Sequence, residues 1–183
     1  MIFMKIGIIS DSHDDITNVN RAIDIFIEKK IRFVIHAGDI ISPPVITEFK
    51  RLTDEGVDLF GIYGNNDGEK KGLKSAFNSV KGNLLGDEGK FEIDGLKFCV
   101  LHGQDLRKKE KFIQSQKFDV VIYGHSHTKH SEISHGDKRD TIIINPGSSH
   151  SPAKMRCQER PYFGDPSIAI FDSVTKEIEF IDL

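Results

Sequence analysis

The chain has 183 residues, of which 38% are hydrophobic and 29% are charged, and its formal net charge is −3. This size and composition describe an ordinary soluble protein, so a single domain is expected over residues 1–183. The slightly negative charge excludes a general electrostatic attraction to membranes or nucleic acid, and extended nucleic acid is not an expected partner. The sequence has no apolar run long enough to span a membrane, and its two cysteines are too few for a disulfide framework, which favours a cytoplasmic location.

The first half of the sequence predicts strands that alternate with helices. Strand-like runs occupy residues 6–9, 33–35 and 57–63. Apolar residues at helical spacing predict helices over residues 19–27, 43–52 and 73–80, and Thr17 is the expected N-cap of the first. This alternation indicates a layered α/β fold in which neighbouring strands of the first half are parallel.

The second half of the sequence predicts hairpins and fewer helices. The pair Asp94-Gly95 is a strong tight-turn signal between strands predicted over residues 90–93 and 96–101. A short basic helix is expected next. Further strands are predicted over residues 120–122, 141–144, 167–172 and 177–181. Residues 149–165 are expected to form a long irregular loop.

Two histidines, His125 and His127, follow the strand predicted over residues 120–122. Alternate residues on an extended chain point the same way, so both imidazoles can face one pocket. Taken alone, such a pair is ambiguous, because it is often only a hydrogen-bonded turn. Its interpretation depends on the residues that end the other strands.

Most of the other predicted strands also end in residues that can bind a metal, commonly beside a glycine. The candidate metal ligands are Asp11, His13, Asp39, Asn65, His102, His125 and His127. Ligands of open α/β sheets bind at the carboxyl ends of the strands. Two carboxylates, one amide oxygen and four imidazoles are too many for one structural ion, and they suit two divalent cations that share a bridging carboxylate.

Each of these candidates also has an ordinary structural explanation. Asp11 could cap a helix, and Asp39 and Asn65 could be turn residues. His102 could be a hydrogen-bonded histidine of the core. The metal-site hypothesis therefore rests on the occurrence of all these residues together at strand ends.

Five short motifs occur in a fixed order along the chain: Asp11-Ser12-His13, Gly38-Asp39, Gly64-Asn65-Asn66-Asp67, His102-Gly103 and Gly124-His125-Ser126-His127. In this order they resemble the calcineurin-like metallophosphoesterases, and in particular the small single-domain phosphodiesterases of bacteria and archaea. The resemblance runs from Lys5 to about Ser148 and includes the segment Asn145-Pro146-Gly147-Ser148. It implies an α/β fold of the four-layer α/β/β/α sandwich type, with two sheets packed face to face and helices outside.

The resemblance also implies a centre with two divalent transition metal ions, either Mn, Ni, Fe or Zn. One ion would take Asp11, His13 and His127, the other would take Asn65, His102 and His125, and Asp39 would bridge the two. The implied reaction is hydrolysis of a phosphate ester by in-line attack of a metal-bridging hydroxide. The implied partner is a small phosphodiester or nucleotide-like substrate, and relatives often form homodimers or homotetramers.

The candidate catalytic residues are Asp39, Asn65, Asn66 and Asp67. Asn66 stands where many family members carry a histidine that can protonate the leaving alkoxide, although the small subgroup often has a cysteine there. An asparagine cannot donate a proton in this way, which predicts a strong dependence on the leaving group. The role of Asp67, whose counterpart often orients that histidine, stays open.

Several polar residues lie outside the five motifs. His36 is expected to be structural, His130 and His135 are expected to be exposed, and His150 could line the mouth of the pocket. Lys154 and Arg156 could contact a substrate phosphate, although a solvated loop is the ordinary explanation for them.

Two alternatives to a phosphodiesterase are open. One is a non-catalytic protein-interaction scaffold on the same fold, as in the retromer subunit that resembles these enzymes. The other is a nucleotide hydrolase or nuclease that uses the same chemistry on a different substrate.

Overall fold

A computed structural model describes residues 4–151 and 164–183, and these residues form two β-sheets with helices on their outer faces. The strands of the first sheet are β1 (Lys5–Ile9), β2 (Phe33–His36), β3 (Asp58–Gly61), β4 (Asn83–Leu84), β10 (Ser167–Asp172) and β11 (Ile178–Asp182). Those of the second sheet are β5 (Glu88–Ile93), β6 (Leu96–Leu101), β7 (Val120–Ile122), β8 (Lys129–Ser134) and β9 (Thr141–Pro146).

The order of the strands places several carboxyl ends at one edge of each sheet. The first sheet has the order β11-β10-β1-β2-β3-β4, in which β1 to β4 are parallel, β10 is antiparallel to β1, and β11 is antiparallel to β10. The second has the order β5-β6-β7-β9-β8, in which β6, β7 and β9 are parallel. The predicted parallel pairing of the first three strands is confirmed.

The helices are α1 (Ile16–Glu28), α2 (Pro43–Glu48), α3 (Lys50–Thr53), α4 (Lys70–Ser79) and α5 (Leu106–Gln114). In the described ranges, none of them combines the length and the apolar character needed to cross a membrane. Helices α1 to α4 pack on the outer face of the first sheet, and α5 packs on the outer face of the second.

Alternation of side chains along the strands separates the core into layers. In β1, Ile6 and Ile8 face the second sheet, whereas Ile9 faces the helices. In β6, Phe98 and Val100 pack between the sheets, whereas the neighbouring Cys99 packs toward α5. Because successive side chains of a strand point to opposite faces, each apolar run contributes side chains to two layers of the core. The expected four-layer α/β/β/α sandwich is confirmed.

Several local details differ from the sequence-based expectations, among them the short strand β4, which was not predicted. Asp15, and not Thr17, caps α1, since its carboxylate accepts a hydrogen bond from the backbone N–H of Asn18. The helix expected over residues 43–52 is interrupted at Phe49 and forms two short helices. The strand β8 was not expected, because it is a mostly exposed edge strand whose polar sequence carries no apolar alternation.

The end of α4 provides a test of local backbone strain. Lys81 follows this helix with a positive φ of 58°, in a Schellman turn closed by the hydrogen bond from Gly82 N to Phe77 O. Glycine adopts this conformation without the steric cost of a Cβ atom. We therefore expect Lys81→Gly to raise the free energy of unfolding by about 0.5–1 kcal/mol, measured by urea denaturation.

The matched control for this variant is Lys74→Gly, which changes the same residue type at an exposed helical position of α4. It should lower the free energy of unfolding by about 0.8–1 kcal/mol. Equal signs for the two variants would show that the conformation of Lys81 is not a source of strain.

Candidate metal centre

The carboxyl ends of five strands deliver the predicted ligands to one cleft between the two sheets. Asp11 and His13 follow β1, Asp39 follows β2 and Asn65 follows β3. From the second sheet, His102 follows β6, and His125 and His127 follow β7. Because these strands are parallel within each sheet, residues far apart in the chain converge at this edge.

The first group of candidate ligands consists of Asp11, His13 and His127, and the ligand atoms of the group all lie within 4.8 Å of one another. The Nε2 atom of His127 is 3.1 Å from Asp11 Oδ1, and the Nε2 atom of His13 is 3.9 Å from the same oxygen. The two histidine Nε2 atoms are 3.3 Å apart. One carboxylate and two imidazoles therefore converge on one point.

A second group shares Asp11 and adds Asp39 and His102, again with ligand atoms within 4.8 Å of one another. The Nε2 atom of His102 is 3.8 Å from Asp11 Oδ1 and 3.2 Å from Asp39 Oδ2. Asp39 Oδ2 also lies 3.6 Å from the Nε2 atom of His13, which belongs to the first group. Both carboxylates thus touch histidines of both groups.

The two remaining predicted ligands lie beside these groups. The ring of His125 packs edge-on against that of His102, with 5.2 Å between the centroids. Asn65 is exposed and lines a cavity together with His102. Five of the seven predicted ligands therefore belong to the two groups, and the other two flank His102.

Asp11 supplies the clearest indication that this set of donors fits a cation. Its side chain is buried, and Oδ2 accepts hydrogen bonds from Ser10 Oγ at 2.5 Å and from the backbone N–H of His125 at 3.0 Å. In the described part of the chain, no group donates a hydrogen bond to Oδ1. An unpaired buried carboxylate oxygen is costly, whereas one surrounded by imidazole nitrogens suits a divalent transition metal ion.

Hydrogen bonding determines which nitrogen of His102 is available as a ligand. Its Nδ1 lies 2.8 Å from the carbonyl oxygen of Ala37, so Nδ1–H donates and Nε2 points to the carboxylates. Burial lowers the pKa of His102, but the hydrogen bond to Asp39 and the charges of Asp11 and Asp39 outweigh burial and raise it. The same negative charge would attract a cation to Nε2.

The pKa shifts of His13, His125 and Asp39 favour the protonation states that metal binding requires. Burial lowers the pKa of both His13 and His125, which favours their neutral forms near pH 7. Burial alone would raise the pKa of Asp39, but hydrogen bonds from His102 and Asn66 outweigh it and lower the pKa. Neutral imidazoles and an ionised carboxylate are the forms that bind metals.

Five of the predicted ligands have a left-handed backbone. The φ angles are 52° at Asp11, 40° at His13, 54° at Asp39, 66° at His125 and 57° at His127. Non-glycine residues rarely adopt this conformation, which costs on the order of 1 kcal/mol or more each and persists where surrounding contacts hold it. Strain concentrated at one cleft supports a functional role for that cleft.

Two glycines allow the backbone to approach the carboxylates closely. A Cβ atom at Gly64 would lie 2.2 Å from Asp39 Oδ1, and one at Gly124 would lie 2.6 Å from Asp11 Oδ2. Neither distance is tolerable for real atoms, so only glycine fits at these positions. The absence of a side chain at these two glycines therefore permits the close approach.

Asn66 and Asp67 act on the loops around the centre. Asn66 donates two hydrogen bonds to Asp39, from its backbone N–H at 2.8 Å and from Nδ2 at 2.7 Å. The buried carboxylate of Asp67 accepts from the backbone N–H groups of Ile40, Ile41 and Gly64, at 2.8, 2.7 and 2.7 Å. Asp67, one of the candidate catalytic residues, therefore ties the loop of Asp39 to the loop of Asn65.

Sequence reasoning missed the serines that support Asp11. Ser10 donates to the carboxylate of Asp11, and Ser148 Oγ donates to its backbone carbonyl at 2.8 Å. Ser148 belongs to the Asn-Pro-Gly-Ser segment, which was the available signal. Serine is too common in turns for its role to be inferred without the tertiary contact.

The remaining histidines differ in burial and in distance from the centre. His36 is buried, its Nδ1 accepts from Gly38 N, and burial lowers its pKa to about 3, in agreement with the expected structural role. The ring of His150 is buried 5.7 Å from that of His13, which places it beside the centre, a position that the sequence had left open. His135 is exposed and His130 is partly exposed. Lys154 and Arg156 lie outside the described residues.

Comparison with known proteins identifies the family. Residues 4–174 match the family described as "calcineurin-like phosphoesterase superfamily domain". The chain belongs to the calcineurin-like phosphoesterase superfamily. The resemblance inferred from the five ordered motifs is thereby confirmed.

One curated protein and one solved structure match almost the whole chain. A phosphodiesterase from Methanocaldococcus jannaschii is 39% identical over 181 residues, which is 98% of this chain and 99% of that protein. A solved structure of a novel archaeal phosphodiesterase has a TM-score of 0.83 at 38% identity, and the match covers 98% of this chain and 100% of that one.

A more distant solved structure shares the architecture. Vacuolar protein sorting 29 from Cryptosporidium parvum has a TM-score of 0.67 at 14% identity, over 100% of this chain and 93% of that chain. At this identity the likeness concerns the fold alone.

Proposed function

We propose that this protein is a dinuclear metal-dependent phosphodiesterase whose single domain, residues 1–183, hydrolyses small phosphodiesters. The observation that carries the proposal is the pair of ligand groups that share Asp11, with ligand atoms within 4.8 Å of one another in each group. Family membership and 39% identity to a protein named a phosphodiesterase support it. A cytoplasmic location and assembly into homodimers or homotetramers stay predictions.

The proposed ligand assignment follows the expected one. One cation would be held by Asp11, His13 and His127, and the other by Asn65, His102 and His125. Asp39 would lie between them, which is supported by distances of 3.6 Å from its Oδ2 to His13 Nε2 and 3.2 Å to His102 Nε2. When bound, two divalent cations of the Mn, Fe, Ni or Zn type lower the pKa of water and neutralise charge on a phosphoryl group.

The residues of the chain itself prepare this site for an anionic substrate. Hydrogen bonds donated by Ser10 and Asn66 hold the carboxylates of Asp11 and Asp39 in place. Neutral His13 and His125 add ligands without adding negative charge. Two cations against two carboxylates would leave the site positively charged, which suits a phosphodiester anion.

The decisive experiment is an activity matrix on protein stripped of metal. Each of Mn, Fe, Ni and Zn is added in turn, and hydrolysis is measured for phosphodiesters, phosphomonoesters and cyclic nucleotides. We expect at least one metal to support phosphodiester hydrolysis. Silence with every metal would overturn the proposal and favour the protein-interaction scaffold, whereas preferential cleavage of nucleotides would favour the nucleotide hydrolase.

Asn66 predicts how the rate depends on the leaving group. Its amide donates hydrogen bonds but is too weak an acid to transfer a proton at neutral pH. A poor alkoxide must therefore depart without general acid catalysis from this position, which typically contributes about 10²–10⁴ in rate. We expect bis-p-nitrophenyl phosphate to be cleaved about 10² times faster than alkyl phosphomonoesters or more. The measurement is kcat/KM for esters of graded leaving-group pKa.

The variant Asn66→His should weaken this dependence by restoring a proton donor beside Asp39. The matched control, Asn78→His, makes the same change at an exposed position of α4 and should leave the dependence as it is. Comparable rates for activated diesters and alkyl monoesters in the unmodified protein would contradict the prediction.

A further inference from the structure

A cavity of about 370 Å³ adjoins the candidate metal centre. Asn65 and His102, both proposed metal ligands, form its inner wall. Its outer wall is built from polar and charged residues at the start of α4 and of α5, namely Lys70, Gln104, Asp105 and Lys108. A phosphodiester bound at the metals would therefore place one of its two arms in this cavity.

The lysines of the cavity are already neutralised by acidic partners. Lys70 Nζ is 2.8 Å from Asp87 Oδ1, and Lys108 Nζ is 2.5 Å from Glu88 Oε2. Asp105 adds a further carboxylate to the wall. An anionic arm would have to displace these carboxylates and lie beside Asp105, so the balance of charge favours a neutral arm.

The chemistry of the wall also distinguishes between kinds of neutral arm. Among the described lining residues, Leu101 is the only large apolar side chain, and the only aromatic ring is that of His102, which is buried and assigned to the metals, so it offers no open face on which a nucleobase could stack. Ammonium and amide N–H groups donate hydrogen bonds, and carboxylate and amide oxygens accept them. Hydroxyl groups both donate and accept, so a wall of this composition matches an arm rich in hydroxyls.

We propose that the cavity binds a neutral polyhydroxylated arm of the substrate, of the polyol or sugar class. The assignment rests on the proposed phosphodiesterase function and deepens it by naming the substrate class. The cavity volume falls within the range of small-molecule sites, which is about 300–1,000 Å³.

The test uses two diesters that share a p-nitrophenyl arm and differ only in the second arm, which is glyceryl in one and propyl in the other. The measured quantity is the ratio of kcat/KM for the glyceryl diester to that for the propyl diester. We expect a ratio of about ten, equivalent to about 1.4 kcal/mol, as suits two added hydroxyl hydrogen bonds. Taking the ratio within each protein removes any general loss of activity.

Two double variants test whether the preference for the glyceryl diester arises in the cavity. Gln104→Leu with Lys108→Met removes polar groups of the cavity, and the ratio should fall to about one. Gln114→Leu with Lys109→Met makes the same changes of residue type on α5, at residues that do not line the cavity, and should keep the ratio near ten. A ratio near one in the unmodified protein, or equal ratios in both variants, would overturn the assignment.

Failure of the proposed function would be recognised separately, as absence of hydrolysis with every metal. In that case the two diesters are compared by calorimetric binding to the metal-loaded protein. About tenfold tighter binding of the glyceryl diester would support the cavity assignment, and equal Kd values would refute it.

Discussion

Replacement of Asp39 by Asn should lower kcat/KM for bis-p-nitrophenyl phosphate by a factor of about 10³, because metal-based charge stabilisation contributes several kcal/mol. Asp39 Oδ2 lies near His102 of one proposed ligand set and near His13 of the other. The substitution removes one negative charge from the position where both cations would be held. It also replaces an oxygen that accepts from Asn66.

The control for this variant is Asp24→Asn. Asp24 is exposed on α1 and forms a surface ion pair with the exposed Arg51, so this change should leave kcat/KM within about twofold. The metal content of both proteins should be measured after equal loading, and Asp39→Asn should bind less. Activity of Asp39→Asn within tenfold of the unmodified protein would argue against a bridging role.

The second large effect concerns stability. Asp67→Asn should lower the free energy of unfolding by roughly 2–3 kcal/mol, the cost of leaving a buried donor without its partner. The two carboxylate oxygens of Asp67 accept from three backbone N–H groups. An asparagine has one oxygen, so it can satisfy Ile40 and Ile41 only by turning its own NH₂ group toward the N–H of Gly64.

Urea denaturation measures this loss, and Asp87→Asn is the matched control. Asp87 is exposed and forms a surface ion pair with Lys70, so its replacement should cost roughly 0–1 kcal/mol. The Asp67 variant should also lose activity, because the loops that carry Asp39 and Asn65 lose their common anchor. A loss of stability equal to that of Asp87→Asn would show that the three hydrogen bonds contribute little.

The two predictions assign different roles to Asp39 and Asp67, which are both neighbours of Asn66. Asp39 is expected to act on the metals, with its main effect on activity. Asp67 is expected to act on the backbone, with its main effect on folding. Measuring both activity and stability for each variant therefore tests the division of roles.

The sequence predicted the layered fold well, and the reasons are local. Ile6, Ile8 and Ile9 form a continuous apolar run because β1 is covered on both faces, and the run can be seen without knowing what covers it. The turn at Asp94-Gly95 was likewise predictable, because positive φ angles of 53° and 76° suit these two residue types. Features of this kind depend on a few neighbouring residues.

Features that depend on distant contacts were not predictable in the same way. The strand β8 is held by pairing with β9, and its own sequence is too polar to indicate a buried face. The helix expected over residues 43–52 is interrupted at Phe49, but the pattern of apolar residues continues across this position and gives no sign of the interruption. The role of Asp67 required knowledge of three backbone groups, two of which lie more than twenty residues earlier in the chain.

By itself, the sequence determined the set of donor residues and their places at strand ends, since both follow from residue type and hydrophobic pattern. Only the tertiary structure decided which donors meet. Asp11 belongs to the first sheet and His127 to the second, yet their ligand atoms are 3.1 Å apart. The physical reason is the packing of two sheets across a shared apolar core, which brings the carboxyl ends of their strands together and which no local pattern encodes.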